Sequence, residues 1–452
     1  MAERTQFWLG SGLLLLSVAA LAYGPGQADF AWIAGLYLPA FLAYLWLCTG
    51  TVSQQALKFY LVLAVGVRAL ILPAMPQLSD DVYRFIWDGR LLLNGINPFE
   101  HLPAYYQALA DPPAGLTDGL FQKLNSPEYF TIYPPVAQAV FGISCWLAPN
   151  SIYGSTLLMK GFLLLTDIGT VLLLPRLLKA LGQPPQLACW YLLNPLIIVE
   201  TTGNLHFEGA MVFFLVLSFW WLHRKKWALS AVAMALAVAT KLLPLLFLMF
   251  FIRRLGWRRS IYYFGMMGLA LLLLFAPLLS EAFLKGFGSS LDLYFRRFEF
   301  NGSVYYLLRW IGYQWTGYNQ IAIIGPLLAA GTFLGVVLLA IWDAWLGRCS
   351  KTALTSRLPA LCLAAIVLYL AFTPTVHPWY VALPILLCTF TPYRFPVVWS
   401  ILIVLTYANY SGGAYHEYLG LVALEYLVVA GYALWEWRQQ KKRSKAVPLS
   451  AL

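Results

Sequence analysis

The sequence predicts an all-α polytopic membrane protein, with roughly 11–14 transmembrane helices by block length. Three observations predict it. Of 452 residues, 61% are apolar and only 11% are charged, whereas a soluble domain carries about a quarter charged residues. The mean hydropathy is +0.70. Apolar blocks of roughly 16–25 residues recur along the chain, and about 18 suffice to cross a bilayer as a helix.

The first block, 7–24, has Arg4 as its basic flank and is followed by the weak cleavage-like sequence "YGPGQA". More apolar blocks follow at once, so it reads as a retained first helix rather than a secretory leader. Segments 31–48 and 56–76 come next, then a first external loop over 77–133 that carries amphipathic helices. Segments 134–149, 156–178, 186–201, 208–222, 227–252 and 260–279 precede a second external loop, 280–319. The last segments are 320–345, 358–374, 378–391, 395–410 and 416–437. Two places strain the alternation of sides. Residues 134–178 need an odd number of crossings yet read as two blocks. Block 227–252 has basic residues at both ends, so it reads as a hairpin broken near Lys241 and Pro244. Residues 1–437 form one integral-membrane domain, and 438–452 a basic, disordered cytoplasmic tail. There is no visible internal repeat.

The net charge of +11 is a matter of orientation. The clusters "HRKKW" (223–227), "RRLGWRR" (253–259), "GRCSK" (347–351) with Arg357, and "RQQKKRSK" (438–445) all punctuate apolar blocks. Such clusters face the cytoplasm, which leaves 77–133, 201–207, 280–319, 373–378 and 410–415 on the other side. No nucleic-acid partner is implied. Cys48, Cys145, Cys189, Cys349, Cys362 and Cys388 show no CxxC or metal spacing, so redox chemistry and structural zinc are not expected.

Charge is concentrated in "LSDDVYRFIWDGRLLLNGINPF" (78–99). Ser79 suits an N-cap, with Asp80 and Asp81 in the first turn, where the helix dipole favours anions. Val82, Phe85, Ile86, Gly89 and Leu93 share one face, and Asp81, Arg84 and Asp88 lie opposite. Asn94-Gly95 and Pro98 end the helix. The pattern predicts an amphipathic helix on the outer membrane surface. Two readings stand side by side: a solvated face with an Arg84–Asp88 pair, or a general base at the depth of a lipid headgroup. Elsewhere, "GNLHFEG" sets His206 and Glu208 in an external connection. Lys241, inside an apolar run, must face the interior and find an anion. Lys160 and Asp167, seven apart, read as an internal ion pair. Asn301-Gly-Ser and Asn409-Tyr-Ser match the glycosylation sequon, a pattern common by chance.

The stretch "SDDVYRFIWDGRLLLNGINPF" resembles the first extracytoplasmic loop of GT-C glycosyltransferases, and is most similar to bacterial α-mannosyltransferases that use polyprenyl-phosphate-mannose. Further similar motifs are "YPPVAQ" (133–138), "NPLIIVETTGNLHFEG" (194–209), "TKLLPLL" (240–246), "FEFNGSVYYLLR" (298–309) and "HPWY" (377–380). The resemblance implies a GT-C-like fold and sugar transfer, with inversion, from a polyprenyl-phosphate donor to a glycan or lipid acceptor on the non-cytoplasmic face of a bacterial inner membrane. It implies a catalytic carboxylate at Asp81, with Asp80 second. Lys241, Arg84, Arg309, His206 and His377 are candidates to meet the leaving phosphate, and Asp88, Arg90, Glu208, Asn301 and Tyr380 complete the substrate-binding set. No cofactor is expected and no metal is assigned, although two adjacent acids are able to ligate a divalent ion. The alternative is a membrane transporter or lipid flippase, which would use Lys160, Asp167 and Lys241 at mid-depth.

Overall fold

The computed structural model describes residues 2–50, 52–346, 357–412 and 415–446. Its helices are α1 (Ala2–Tyr23), α2 (Phe30–Thr49), α3 (Leu57–Ile71), α4 (Asp81–Leu93), α5 (Pro103–Gln107), α6 (Asp118–Phe121), α7 (Pro135–Leu147), α8 (Ile152–Ala180), α9 (Cys189–Leu192), α10 (Pro195–Ile197), α11 (Glu208–His223), α12 (Trp227–Thr240), α13 (Leu248–Leu255), α14 (Trp257–Phe275), α15 (Glu281–Arg296), α16 (Val304–Thr316), α17 (Ile321–Leu346), α18 (Leu358–Phe372), α19 (Ala382–Cys388), α20 (Phe395–Leu402) and α21 (Leu419–Ala446). Among the described residues there is no strand, only an isolated parallel bridge between Phe300 and Thr375.

The expected fold class holds: the chain is an all-α, polytopic membrane protein. Among the described residues five helices are long and apolar enough to cross a bilayer: Arg4–Tyr23, Phe30–Thr49, Ile152–Ala180, Ile321–Trp345 and Leu419–Lys442. Pro195–Gly203 and Glu208–His223, bent by 109°, make a sixth if taken as one span. Other apolar blocks become shorter helices, such as Pro135–Leu147, Trp227–Thr240 and Leu358–Phe372. Hydropathy alone does not see the breaks. Prolines remove a helical donor, and π or 3₁₀ turns at Ile198–Gly203 and Leu243–Phe247 re-route the chain beside them. The break expected near Lys241 is present: Lys241 ends α12 in an extended conformation.

Small polar side chains join the helices. Ser218 Oγ donates to the Ser230 carbonyl at 2.9 Å and Ser230 Oγ returns the bond to the Ser218 carbonyl at 2.9 Å, tying α11 to α12. Two expectations are corrected. Lys160 and Asp167 do not pair: two helical turns separate them by about 10 Å of axial rise. Lys160 instead donates to the carbonyls of Ile71 and Ala74, and Asp167 accepts from Arg68 at 2.9 Å and Thr202 at 2.6 Å. The tail is not disordered throughout, since α21 continues to Ala446. The "GRCSK" cluster with Cys349, and residues 447–452, lie outside the described residues.

The larger correction concerns α4. It does not lie on a surface with a wet face; residues on all its sides are buried. Arg84 Nε donates to Asp88 Oδ1 at 2.9 Å, and its Nη1 donates to the carbonyls of Ser126 and Tyr129. Gln138 from α7 donates to Asp88 Oδ2 at 3.0 Å. The pair that periodicity sets toward water or a cleft is thus satisfied internally, which lets most of the helix be enclosed. Asp80, not Ser79, precedes the first turn, while Ser79 Oγ accepts from the Asp81 N–H at 3.3 Å. On the far side, Gly89 meets α7 so closely that a Cβ would sit 2.6 Å from the Phe141 carbonyl oxygen. Phe85 stacks on Phe141 at 4.5 Å and meets Tyr133 edge-on at 4.7 Å.

This enclosure makes α4 sensitive to small changes. Arg84→Met leaves the Asp88 carboxylate buried without its cation and should destabilise the protein by about 3–5 kcal/mol, read as a lowered unfolding midpoint in detergent. Gly89→Ala should lower the same midpoint through overpacking worth about 1–3 kcal/mol.

Candidate active site

A cavity of about 320 Å³ opens at the start of α4, bordered by Asp80, Asp81, Asn125, Tyr133, Lys241, His377, Trp379, Tyr380 and Tyr410, with Arg84 at its edge. It falls at the lower end of the range of about 300–1,000 Å³ usual for small-ligand sites.

Asp81 is the first residue of α4, so its carboxylate projects where the chain leaves α3. Asn125 Nδ2 donates to Oδ1 at 2.8 Å, and the Tyr133 hydroxyl donates to Oδ2 at 2.9 Å. The carboxylate keeps partial access to the cavity, 19% of the side chain being exposed. Tyr133 is aimed by its packing on Phe85 and Phe141 and by the following Pro134-Pro135. Asp80 is more open. Partial desolvation first, then the neighbouring Asp81 charge, raise its carboxyl above the ordinary range.

Lys241 enters from the end of α12. Its Nζ lies 3.1 Å from Glu208 Oε1 and 5.3 Å above the Tyr133 ring. Glu208 is buried, and Lys241 is 16% exposed toward the cavity. The anion that Lys241 requires is therefore present, and part of the side chain remains exposed.

His206 lies behind Asp81. Nδ1 is 3.0 Å from the Glu200 carbonyl and 3.1 Å from Glu200 Oε2, while Nε2 is 3.9 Å from Asp81 Oδ2. The imidazole begins a column of rings: Trp379 stacks on it at 3.6 Å, His377 on Trp379 at 4.5 Å, and Phe300 on His377 at 4.6 Å. Among these rings the imidazole of His377 is desolvated. That cause leads, Asp81 opposes it, His206 and Lys241 add to it, and the pKa falls to about 3. At neutral pH His377 offers a hydrogen bond and no charge.

The remaining expected site residues divide between the cavity wall and other parts of the fold. Arg84 borders the cavity, yet its bonds run to Asp88 and two carbonyls. Asp88 is enclosed behind it. Arg90 donates to the Gly115 carbonyl. Asn301 Nδ2 is 3.2 Å from both oxygens of Glu425. Arg309 pairs with Glu299 and with Glu417 at 2.9 Å, and covers Tyr306 at 4.1 Å. Desolvation and then Glu299 push the Glu417 carboxyl up to about 7. Tyr380 does border the cavity.

Sequence reasoning did not place Asn125, Tyr133, Glu200 or Tyr410 in the site. Glu200 carried a usable signal, being an ionisable residue within an apolar run; Asn125 carried none. Among the described residues, no three His, Cys, Asp or Glu side chains are grouped to hold a metal ion. Of the three charges a transporter would use, Lys160 and Asp167 are taken up by internal partners and Lys241 pairs with Glu208.

Residues 6–256 match the MptA_B family, described as "Alpha-(1->6)-mannopyranosyltransferase, N-terminal domain". Over 211 residues the chain is 26% identical to alpha-(1->6)-mannopyranosyltransferase A of Mycobacterium tuberculosis, covering 45% of this chain. It spans only 36% of the length of that curated relative. Asp81, Tyr133, His206 and Lys241 all fall inside the family-matched region. The chain belongs to the MptA_B family of alpha-(1->6)-mannopyranosyltransferases.

Proposed function

We propose that the chain is an integral-membrane glycosyltransferase that moves mannose from a polyprenyl-phosphate donor to a glycan or lipid acceptor on the non-cytoplasmic face. The observation that carries this reading is the Asp81 carboxylate, held by Asn125 and Tyr133 at the mouth of a cavity it shares with the Lys241 ammonium. Family membership supports the sugar and the reaction class.

In this reading Asp81 accepts the proton of the acceptor hydroxyl as its oxygen attacks the anomeric carbon. The bonds from Asn125 and Tyr133 fix the carboxylate orientation and leave lone pairs free on both oxygens. A single displacement inverts the anomeric centre. The charge that grows on the leaving phosphate falls to Lys241, because Arg84 is engaged internally and His377 is neutral. Trp379, Tyr380 and Tyr410 supply flat apolar faces for the sugar ring.

The test is transfer from a labelled polyprenyl-phosphate-mannose in detergent, with and without EDTA; transfer needs no sealed vesicle, whereas transport does. Asp81→Asn should lower kcat by about 10²–10⁴-fold, the usual contribution of a general base, with an unchanged unfolding midpoint. Full transfer by that variant would sink the assignment. His377 gives a separate pH prediction. Its folded pKa, about 3, lies below the ordinary value of about 6.5, so between these values the unfolded chain binds the extra proton. Stability therefore falls as pH drops through that window. His377→Gln should make the fall of the unfolding midpoint between about pH 6 and 4 shallower.

A further inference from the structure

We propose that Glu200 and His206 form a proton-accepting pair behind Asp81: the proton that Asp81 takes from the acceptor passes on to Nε2 of His206, whose cationic ring Glu200 then holds. This deepens the transferase reading and rests on it.

The geometry of the imidazole is the starting point. Both atoms near Nδ1, the Glu200 carbonyl at 3.0 Å and Glu200 Oε2 at 3.1 Å, are acceptors. Nδ1 therefore carries a hydrogen, and Nε2 is the nitrogen that gains or loses one. Among the described residues Nε2 is buried without a hydrogen-bond partner and faces Asp81 Oδ2 at 3.9 Å. That gap is too long for a hydrogen bond, but a turn of the Asp81 carboxylate or one water spans it. Trp379, stacked on the ring at 3.6 Å, keeps the imidazole in this orientation.

The backbone is built around the same contact. Leu205, fully buried, has φ +67°, a left-handed conformation that a leucine seldom adopts. It follows a π turn over Ile198–Gly203, and π turns recur at functional sites. Together they bring the His206 N–H back to the Glu200 carbonyl at 3.1 Å and set the ring on the Glu200 side chain. Strain of this kind persists where surrounding structure holds it. Glu200 is itself enclosed. Its Oε1 accepts from the Tyr407 hydroxyl at 2.5 Å, and among the described residues its ion-pair partner is His206. Once the ring holds two hydrogens, the Glu200 side chain at 3.1 Å is the group placed to pair with it.

The steps balance. The acceptor O–H bond breaks as its oxygen bonds to the anomeric carbon, the proton goes to Asp81, and the sugar–phosphate C–O bond breaks with its electron pair leaving on the phosphate. The Asp81 O–H bond then breaks as Nε2–H forms, which regenerates the carboxylate and leaves an imidazolium paired with Glu200. The proton returns to solvent as products leave.

The other titratable groups around the pair are Asp81 from α4, Lys241 with Glu208, and His377, together with Tyr407 and Tyr37 beside Glu200. All remain in Glu200→Gln, so a change in that variant reports the pair. With full-length protein and labelled polyprenyl-phosphate-mannose, Glu200→Gln should lower kcat about tenfold or more while donor KM stays within about twofold. Loss of the counter-charge disfavours the imidazolium, so the acid limb of the kcat profile should move to lower pH. Unchanged kcat, or a lowered unfolding midpoint with an unmoved limb, overturns the proposal. If Glu200→Gln does not fold, His206→Gln serves, since its amide still donates to Glu200 but does not titrate; retained kcat there overturns the proposal as well. Absence of transfer by the unmodified chain removes the transferase reading and this pair with it, whereas transfer that survives Glu200→Gln unchanged removes the pair alone.

Discussion

Inside an apolar shell each buried carboxylate must be met by a cation or by donors, and this requirement ties distant parts of the chain together. Asp167 binds α8 to α3 through Arg68 at 2.9 Å. Asp88 holds α4 to α7 through Gln138 and closes on Arg84 within its own helix. Glu208 at the start of α11 meets Lys241 at the end of α12. Glu200 meets Tyr407 from the far end of the chain. Asp81 is the contrast: it is held by an amide and a hydroxyl, the nearest imidazole stands off at 3.9 Å, and it keeps an opening to the cavity. In the proposed reaction that opening is where the acceptor hydroxyl would meet it.

Aromatic packing turns those ties into a defined geometry. The Phe85–Phe141 stack and its edge contact with Tyr133 aim the hydroxyl that reaches Asp81. On the opposite wall, the column from His206 through Trp379 and His377 to Phe300 joins segments from the middle and the last third of the sequence. Rings that exclude water also explain why His377 is uncharged there. The same walls therefore shape the cavity and set the charge of its lining.

Much of this was legible locally. The apolar blocks mark the membrane helices, the proline and lysine near 241–244 mark a broken segment, and the acidic start of α4 marks the cavity mouth. The misreadings share one cause. Helical periodicity says which residues share a face and nothing about what covers it, so Arg84 and Asp88 read as facing water or a cleft although Gln138 and two carbonyls engage them. Lys160 and Asp167 share a face, but two turns keep them apart. Asn301 resembled a ligand contact because its partner, Glu425, lies far away in the chain, as does one of the two anions of Arg309, Glu417.

By itself the sequence determined the solvent this protein lives in, the approximate helix positions and the residue that opens the cavity, because hydropathy, proline and helix-start chemistry act within a few residues. Only the tertiary structure decided which ionisable groups answer one another, that Lys241 retains an exposed edge, and that Glu200 stands behind His206. Those outcomes depend on distances between segments that no local pattern encodes.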